Sequence, residues 1–402
     1  TNANFSWIHV DIILSGVDMD VVIGTALVSM YSRCGNLELA ESVFNRMPQR
    51  DLVTWNTLLS AYLYYWHNFD TLKFLHQMKL KGVDPDDYTF SAAIDGCSDL
   101  QKGRSIHANI IDAGFEQYSI VGNALITMYS KCGSLDDAEI SFCRMSNHRA
   151  IISWNAMISA YQEHGQSNKA IQLYFQMVDE EEVAPNNITF ISVLGACGNI
   201  ASLDDGKLVH KTLTENGFES DTIIARAVVH MYGKCGDLDN SSKVFSKISD
   251  KNVVCWNIII NAYAQHGMGE EALQRFTQMQ RDGVQPDAIT FVSVLHACSH
   301  AGLVNQAKFY FASMTRDYGI SPSAEHFVSM IDLFGRFGHL DEAEALLKDV
   351  RVSNEVVAWK AFLGACRTHG ADKERAKYAA EHIMKLEPTL SAPYVLLSDT
   401  SE

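Results

Sequence analysis

The chain has 402 residues, with 32 basic against 48 acidic side chains and a formal charge of −16 at pH 7. That length exceeds what a single hydrophobic core supports, so it calls for several domains or a repeat architecture. The apolar fraction of 47% suits a folded soluble protein, no stretch has the roughly 18 apolar residues of a membrane span, and the acidic balance weighs against a broad basic face for non-specific nucleic-acid binding.

Read in chain order, three kinds of segment recur. Residues 1–20 read as the end of a repeat that began earlier, with no signal or transit segment, so any targeting peptide is expected outside this chain. Unit 21–51 carries A-L-V-S-M-Y-S-R-C-G from Ala26. Unit 52–86 carries T-W-N-T-L-L-S-A-Y from Thr54 and closes on Gly82-Val83-Asp84-Pro85-Asp86. Unit 87–118 carries Cys97. The three kinds then repeat as 119–150 (A-L-I-T-M-Y-S-K-C-G from Ala124), 151–186 (S-W-N-A-M-I-S-A-Y from Ser153) and 187–221 (Cys197). They repeat again as 222–252 (A-V-V-H-M-Y-G-K-C-G from Ala227), 253–287 (C-W-N-I-I-I-N-A-Y from Cys255) and 288–323 (Cys298). A tenth unit spans 324–355, a weaker tryptophan copy at Trp359 opens 356–389, and 390–402 start a further element.

Trp55, Trp154 and Trp256 are 99 and 102 residues apart, so the period is a triplet of unlike units. Around each tryptophan the apolar residues fall at i, i+3, i+4 and i+7, as in Trp256, Ile259, Ile260 and Tyr263, which is one face of an α-helix. Gly and Pro in the closing segments end the second helix of each pair. A lone helix pair cannot bury its apolar face, so neighbours must stack. The expected fold is all-α, an α-solenoid of tandem helix–turn–helix repeats, its inner surface lined by the first helix of every pair.

Nine cysteines, an odd number without any C-x-x-C, point to a reducing compartment rather than a disulfide scaffold. They fall on apolar helical positions and read as small buried hydrophobes. The tryptophans lie in the apolar stripe and read as core rather than as stacking platforms for bases. The histidines of His164-Gly165, His266-Gly267 and His369-Gly370 recur at the inter-helix turn, and no metal-ligand spacing occurs. A zinc deaminase needs H-x-E with a later P-C-x-x-C; the chain holds neither H-x-E nor C-x-x-C, so no catalysis and no cofactor are expected of it.

The alternation of V-T-W-N-x-L-x-x-Y, M-Y-x-K-C-G-x-L-x-x-A and V-x-P-D segments resembles the plant pentatricopeptide repeat proteins, in the subclass that alternates P, L and S motifs. The resemblance covers essentially the whole chain. It implies a right-handed superhelix, with 21–355 as ten motifs in the order S-P-L-S-P-L-S-P-L-S. Residues 356–389 resemble the first, and 390–402 the truncated second, helix pair of the E extension. Members bind single-stranded organelle RNA in chloroplasts or mitochondria, and most specify sites of cytidine-to-uridine editing. The resemblance therefore implies an organelle transcript as partner, with a deaminase supplied in trans or lost with a longer C-terminus, multiple organellar RNA editing factor type proteins beside it, and no membrane. Two other readings stand: RNA processing or stabilisation without editing, and a protein-binding scaffold of the tetratricopeptide kind. The acidic charge favours the scaffold; the variable unit length and the missing W-x-x-L-G-x-x-Y signature oppose it.

In the family one repeat reads one base, through the fifth residue of a motif and its last. Carried over to this sequence, Thr25 with Asp51 matches G, Asn56 with Asp86 matches U, Asn155 with Asn186 matches C or U, and Asn257 with Asp287 matches U. Asn123 with Ala150 and Arg226 with Asn252 match no pair, and at the L units Ser91, Ile191 and Val292 hold the fifth position. Ile and Val cannot hydrogen-bond a base, so those two units are expected to space rather than to specify. The family's second residue, an aliphatic wedge between bases, falls here on Val22, Val53, Ile152 and Val254. The acidic run 179–182 is ill placed beside RNA phosphate. The competing reading of Asn56, Asn155 and Asn257 is helix capping, which Asn does well.

Overall fold

The computed structural model describes residues 20–65, 70–145, 149–179, 183–349, 351–368 and 373–387. Among these are 22 α-helices, the 3-10 turn Phe218–Ser220 and no strand. The early repeat end before residue 20, most of the acidic run, His369-Gly370 and the segment 390–402 lie outside the described residues. No described helix is long and apolar enough to cross a membrane.

The chain divides into two compact units, 1–196 and 197–402. The first holds the helix pairs Val21–Arg33 with Leu37–Arg46, Leu52–Tyr65 with Thr71–Leu80, Asp87–Asp95 with Leu100–Ala113, Ser119–Lys131 with Leu135–Arg144, and Ile151–Glu163 with Ser167–Asp179. The division falls inside the helix Asn187–Asn199. The second unit holds Leu203–Glu215 and then the pairs Thr222–Lys234 with Leu238–Lys247, Val253–Gln265 with Gly269–Arg281, Ala288–Ala301 with Val304–Arg316, Ala324–Arg336 with Leu340–Leu347, and Val356–Thr368 with Lys373–Leu386. Within each unit a first helix packs on its own second helix and on the first helix of the next pair.

Local chemistry accounts for the hairpins. Gly35 takes φ 74°, a left-handed backbone that ends the first helix, and the next helix opens on Asn36, whose side chain accepts from the Leu39 amide at 3.1 Å. The tryptophans then tie one pair to the next. Trp55 meets Phe44 of the preceding pair edge-on at 4.9 Å and Phe74 of its own pair at 5.2 Å. Trp154 on Phe142 and Trp256 on Phe245 repeat the contact at 5.0 and 4.8 Å. All three are at most 3% exposed, so they are core and cannot stack on a base. Truncating a core Trp to Ala removes about 3–5 kcal/mol of packing.

The cysteines depart from expectation. Cys197, Cys255, Cys298 and Cys366 are buried, but Cys34, Cys97, Cys132 and Cys235 are half-buried and Cys143 is exposed. Cys34, Cys132 and Cys235 are the C-caps of first helices, one residue beyond the apolar stripe. The periodic pattern stops at the preceding Arg or Lys, and the Gly that follows each cysteine turns the chain.

Candidate nucleic-acid interface

Asn56 sits in the first turn and a half of Leu52–Tyr65, and Asp86 is the N-cap of Asp87–Asp95, one pair further on. Stacking of the two first helices brings them together. Asn56 Nδ2 donates to Asp86 Oδ1 at 3.2 Å. A third group joins them. The Thr89 hydroxyl lies 2.7 Å from Asn56 Oδ1 and 2.6 Å from Asp86 Oδ1. Asp86 and Thr89 also form a capping box, with the Thr89 amide donating to Asp86 Oδ1 at 2.8 Å and the Asp86 amide to the Thr89 hydroxyl at 3.2 Å.

The same assembly occurs twice more. Asn155 Nδ2 donates to Asn186 Oδ1 at 3.0 Å, and the Thr189 hydroxyl lies 2.6 Å from Asn155 Oδ1. Asn257 Nδ2 donates to Asp287 Oδ1 at 2.9 Å, and the Thr290 hydroxyl lies 2.6 Å from Asn257 Oδ1. The backbone amides of Thr189 and Thr290 anchor Asn186 Oδ1 and Asp287 Oδ1 at 3.1 and 2.8 Å. Capping is therefore real, but it is the work of Asp86, Asn186 and Asp287. The asparagines of the first helices cap nothing; helix Val253–Gln265, for example, is capped by Asn252 through the Cys255 amide at 3.2 Å.

Burial disfavours ionisation of Asp86 and Asp287, but the hydrogen bonds from Thr89 and Asn56, and from Thr290 and Asn257, outweigh it and hold both carboxyls below the usual range. Both are anionic at neutral pH. Their Oδ1 is occupied within the protein, which leaves the second oxygen as an acceptor. In Asn186 the corresponding atom is an NH2, a donor. The side chains of Asn56, Asn155 and Asn257 are only 9%, 6% and 7% exposed, so what they offer is a fixed amide edge rather than a mobile chain.

The remaining fifth and last residues fall into looser arrangements. The Thr25 hydroxyl meets the Thr54 hydroxyl at 2.7 Å, and Thr54 donates to Asp51 Oδ1 at 2.6 Å, so this site is linked through hydroxyls. Asn123 and Ala150 make no contact of this kind: Ala150 has nothing to accept with, and Asn123 Oδ1 and Ser153 Oγ are both buried without a partner among the described residues. Arg226 is half-buried, Asn252 exposed, and Cys255 fills the place the threonines hold elsewhere. Ser91, Ile191 and Val292 are half-buried.

Beside each first-helix N-terminus stands an exposed apolar side chain. Val22, Val53, Ile152 and Val254 are 46–76% exposed. The same second position holds Tyr88, Ile120, Ile188, Ile223, Ile289 and Val357, all exposed as well. The sequence expectation named this position in four units; the position alone would have identified the other exposed side chains. The assembly at Asn56 opens on a cleft of about 760 Å³ bounded by Arg33, Val53, Tyr64 and Tyr88. Among the described residues no three His, Cys, Asp or Glu side chains gather as metal ligands would.

Comparison with known proteins identifies the family and the fold. The PPR repeat family pattern matches residues 50–99, 149–199 and 251–300, and the PPR repeat pattern matches 25–52, 123–149, 289–318 and 325–354. The chain is 37% identical over 400 residues to the chloroplastic pentatricopeptide repeat-containing protein CRR2 of Arabidopsis thaliana, covering 98% of this chain and 61% of that protein. It is 35% identical to a mitochondrial pentatricopeptide repeat-containing protein of the same plant, covering 96% of this chain and 45% of that one. The chain thus spans about half the length of these relatives. Among solved structures it resembles the pentatricopeptide repeat protein PPR10 in complex with an 18-nt psaJ RNA element, with TM-score 0.73, 18% identity, and 96% of this chain against 58% of that one. PPR10 from maize gives TM-score 0.64, with 97% and 57% covered. The fold is an all-α solenoid of helix–turn–helix repeats, and the chain belongs to the pentatricopeptide repeat family.

Proposed function

We propose that this chain binds single-stranded RNA of an organelle transcript in a sequence-specific way, one base per repeat. The observation that carries the reading is the threefold recurrence of a locked Asn beside an Asp or Asn with one free acceptor or donor. Uracil and cytosine differ at N3, where uracil has an N–H and cytosine a lone pair. The second oxygen of Asp86 or Asp287 accepts from uracil; the amide of Asn186 donates to cytosine. The exposed residues at the second position separate successive bases. Thr25 with Asp51 adds a site for G, so the chain reads 5′-GUNNYNNUNN-3′ when repeats and RNA run in parallel.

The finer role is recognition of a C-to-U editing site, with the deaminase and its accessory factors supplied by other proteins. Supporting it are the alternation of three unit types and the helix pair Val356–Thr368 with Lys373–Leu386 after the last full repeat. Relatives named chloroplastic and mitochondrial favour an organelle. The direct test is fluorescence anisotropy with the 5′-GUNNYNNUNN-3′ pool and, separately, its complement. Preferential binding of the first supports the reading. Equal failure of both favours a protein-binding scaffold instead.

A further inference from the structure

We propose that the hydroxyls of Thr89, Thr189 and Thr290 are positioning residues for base selection, each fixing the carboxamide of the reading asparagine one repeat earlier. The inference rests on the base-reading function proposed above. Each threonine is the third residue of the following helix pair and is 0% exposed, so it touches no base and acts only through its asparagine.

A carboxamide has a donor end and an acceptor end, and a reading site is informative only if one of them faces the base. Two neighbours set the orientation here. Asp287 Oδ1 can only accept, so it takes Asn257 Nδ2. At the other end Asn257 Oδ1 faces the Thr290 hydroxyl at 2.6 Å. That hydroxyl has one proton and two acceptors within reach, the second being Asp287 Oδ1 at 2.9 Å. Asp287 Oδ1 already receives the Thr290 amide and Asn257 Nδ2, whereas this hydroxyl is the donor that faces Asn257 Oδ1. The proton therefore belongs on the asparagine. The Thr290 oxygen in turn accepts from the Asp287 amide at 3.0 Å, which fixes the hydroxyl rotor. One hydrogen of Nδ2 is left for a base carbonyl. Thr189 repeats the preference, at 2.6 Å to Asn155 Oδ1 against 3.1 Å to Asn186 Oδ1; at Thr89 the two distances are 2.7 Å to Asn56 Oδ1 and 2.6 Å to Asp86 Oδ1, and there only the other two donors on Asp86 Oδ1 favour the asparagine.

The repeat 119–150 lacks the acceptor and has Ser153 in place of the threonine. Ala150 stands where the others have Asp or Asn, and both remaining members, Asn123 Oδ1 and Ser153 Oγ, are buried and without partners. There the amide and the hydroxyl do not meet, whereas they do at the three sites that hold an acceptor. The three groups act as one network, and deleting the hydroxyl is expected to release the carboxamide in the same way.

The test uses the 402-residue chain with Thr290→Val, Thr290→Ser and Asn257→Ala, and two probes, 5′-GUNNYNNUNN-3′ and 5′-GUNNYNNCNN-3′. The readout is the ratio of affinities for U over C at the varied position, with far-UV circular dichroism as the check on folding. Thr290→Val should lower the ratio by on the order of tenfold, and Thr290→Ser should keep it. Loss of the capping box alone changes stability, not this ratio. If Thr290→Val keeps the ratio while Asn257→Ala abolishes it, the positioning role is overturned and base reading stands. A loss of the ratio in Thr290→Ser equal to that in Thr290→Val also overturns it, because the methyl and not the hydroxyl would then matter. If Asn257→Ala leaves the ratio unchanged, base reading itself fails at this repeat and the proposal with it. Should Thr290→Val not fold, Thr89→Val and Thr89→Ser, read as the ratio of U over C at the base facing Asn56, decide in its place.

Discussion

Ala150→Asp should complete the proposed base-reading site of repeat 119–150, where Asn123 Oδ1 and Ser153 Oγ are left without partners, and give it a base preference. Helix Ile151–Glu163 has no side-chain cap, and Ala150 already holds the extended backbone of the other caps, with φ −81° and ψ 166° against φ −114° and ψ −175° at Asp287. The side chain is exposed, so a carboxylate meets no steric barrier there. It would take the Ser153 amide and Asn123 Nδ2, leaving the Ser153 hydroxyl for Asn123 Oδ1. A good N-cap is worth about 1 kcal/mol. Partnering two buried polar atoms adds a further ~1–2 kcal/mol, towards the low end because Asn123 is only half-buried. The gain is local, so hydrogen exchange of the Ser153 amide is the apt stability assay in a repeat array. The functional assay is binding to four RNAs that differ at the base facing 119–150. A preference for U of about tenfold or more should appear, since one well-placed base contact is worth ~1–3 kcal/mol. Slower exchange without any base preference would refute the reasoning, because the network would then be a cap and nothing else.

Three further outcomes are expected. Asn257→Thr with Asp287 kept should move the preferred base from U to G, since Thr25 with Asp51 shows that the shorter side chain still reaches its hydroxyl partner at 2.7 Å; equal loss for all four bases in a binding titration would contradict this. Stability should fall between pH 7.5 and 5.5. Burial holds His107, His210, His230 and His296 below the ordinary value of 6.5, so the unfolded chain binds more protons as pH drops, and stability present above about 6.5 is lost below it; a urea midpoint that rises on acidification would count against those burials. Salt dependence should be shallow, because the chain is acidic and the exposed cations ending first helices are few, with Arg33, Lys131 and Lys234 the plainest; with ~2–4 phosphate contacts the log–log slope is about −1.4 to −2.8, and one steeper than about −5 would mean a far more basic groove.

The tryptophan period, the Gly and Pro closures and the i, i+3, i+4, i+7 stripes made the helix pairs legible, because each is a local consequence of burying one helical face. The pairing of Asn56 with Asp86 was legible only through a family resemblance; nothing in the spacing of two polar residues 30 apart says that they meet. Thr89, Thr189 and Thr290 went unseen for a related reason. A threonine early in an apolar helix reads as a small packing residue, and its partner lies in another repeat. The exposed side chains at Tyr88, Ile120, Ile188, Ile223 and Ile289 were missed because the second position was carried over only to the four units whose fifth and last residues match a base. Cys34, Cys132 and Cys235 were misread since the apolar pattern does not mark where a helix stops; the following glycines do.

The central claim is that paired side chains on successive first helices read successive bases, and selection of bound RNA from a random single-stranded library, followed by sequencing, tests it most directly. The account predicts enrichment of G-U followed after two open positions by a pyrimidine, then after two more by U, in that order and spacing. Enrichment of an unrelated motif, or recovery of a pool as random as the input, would contradict it.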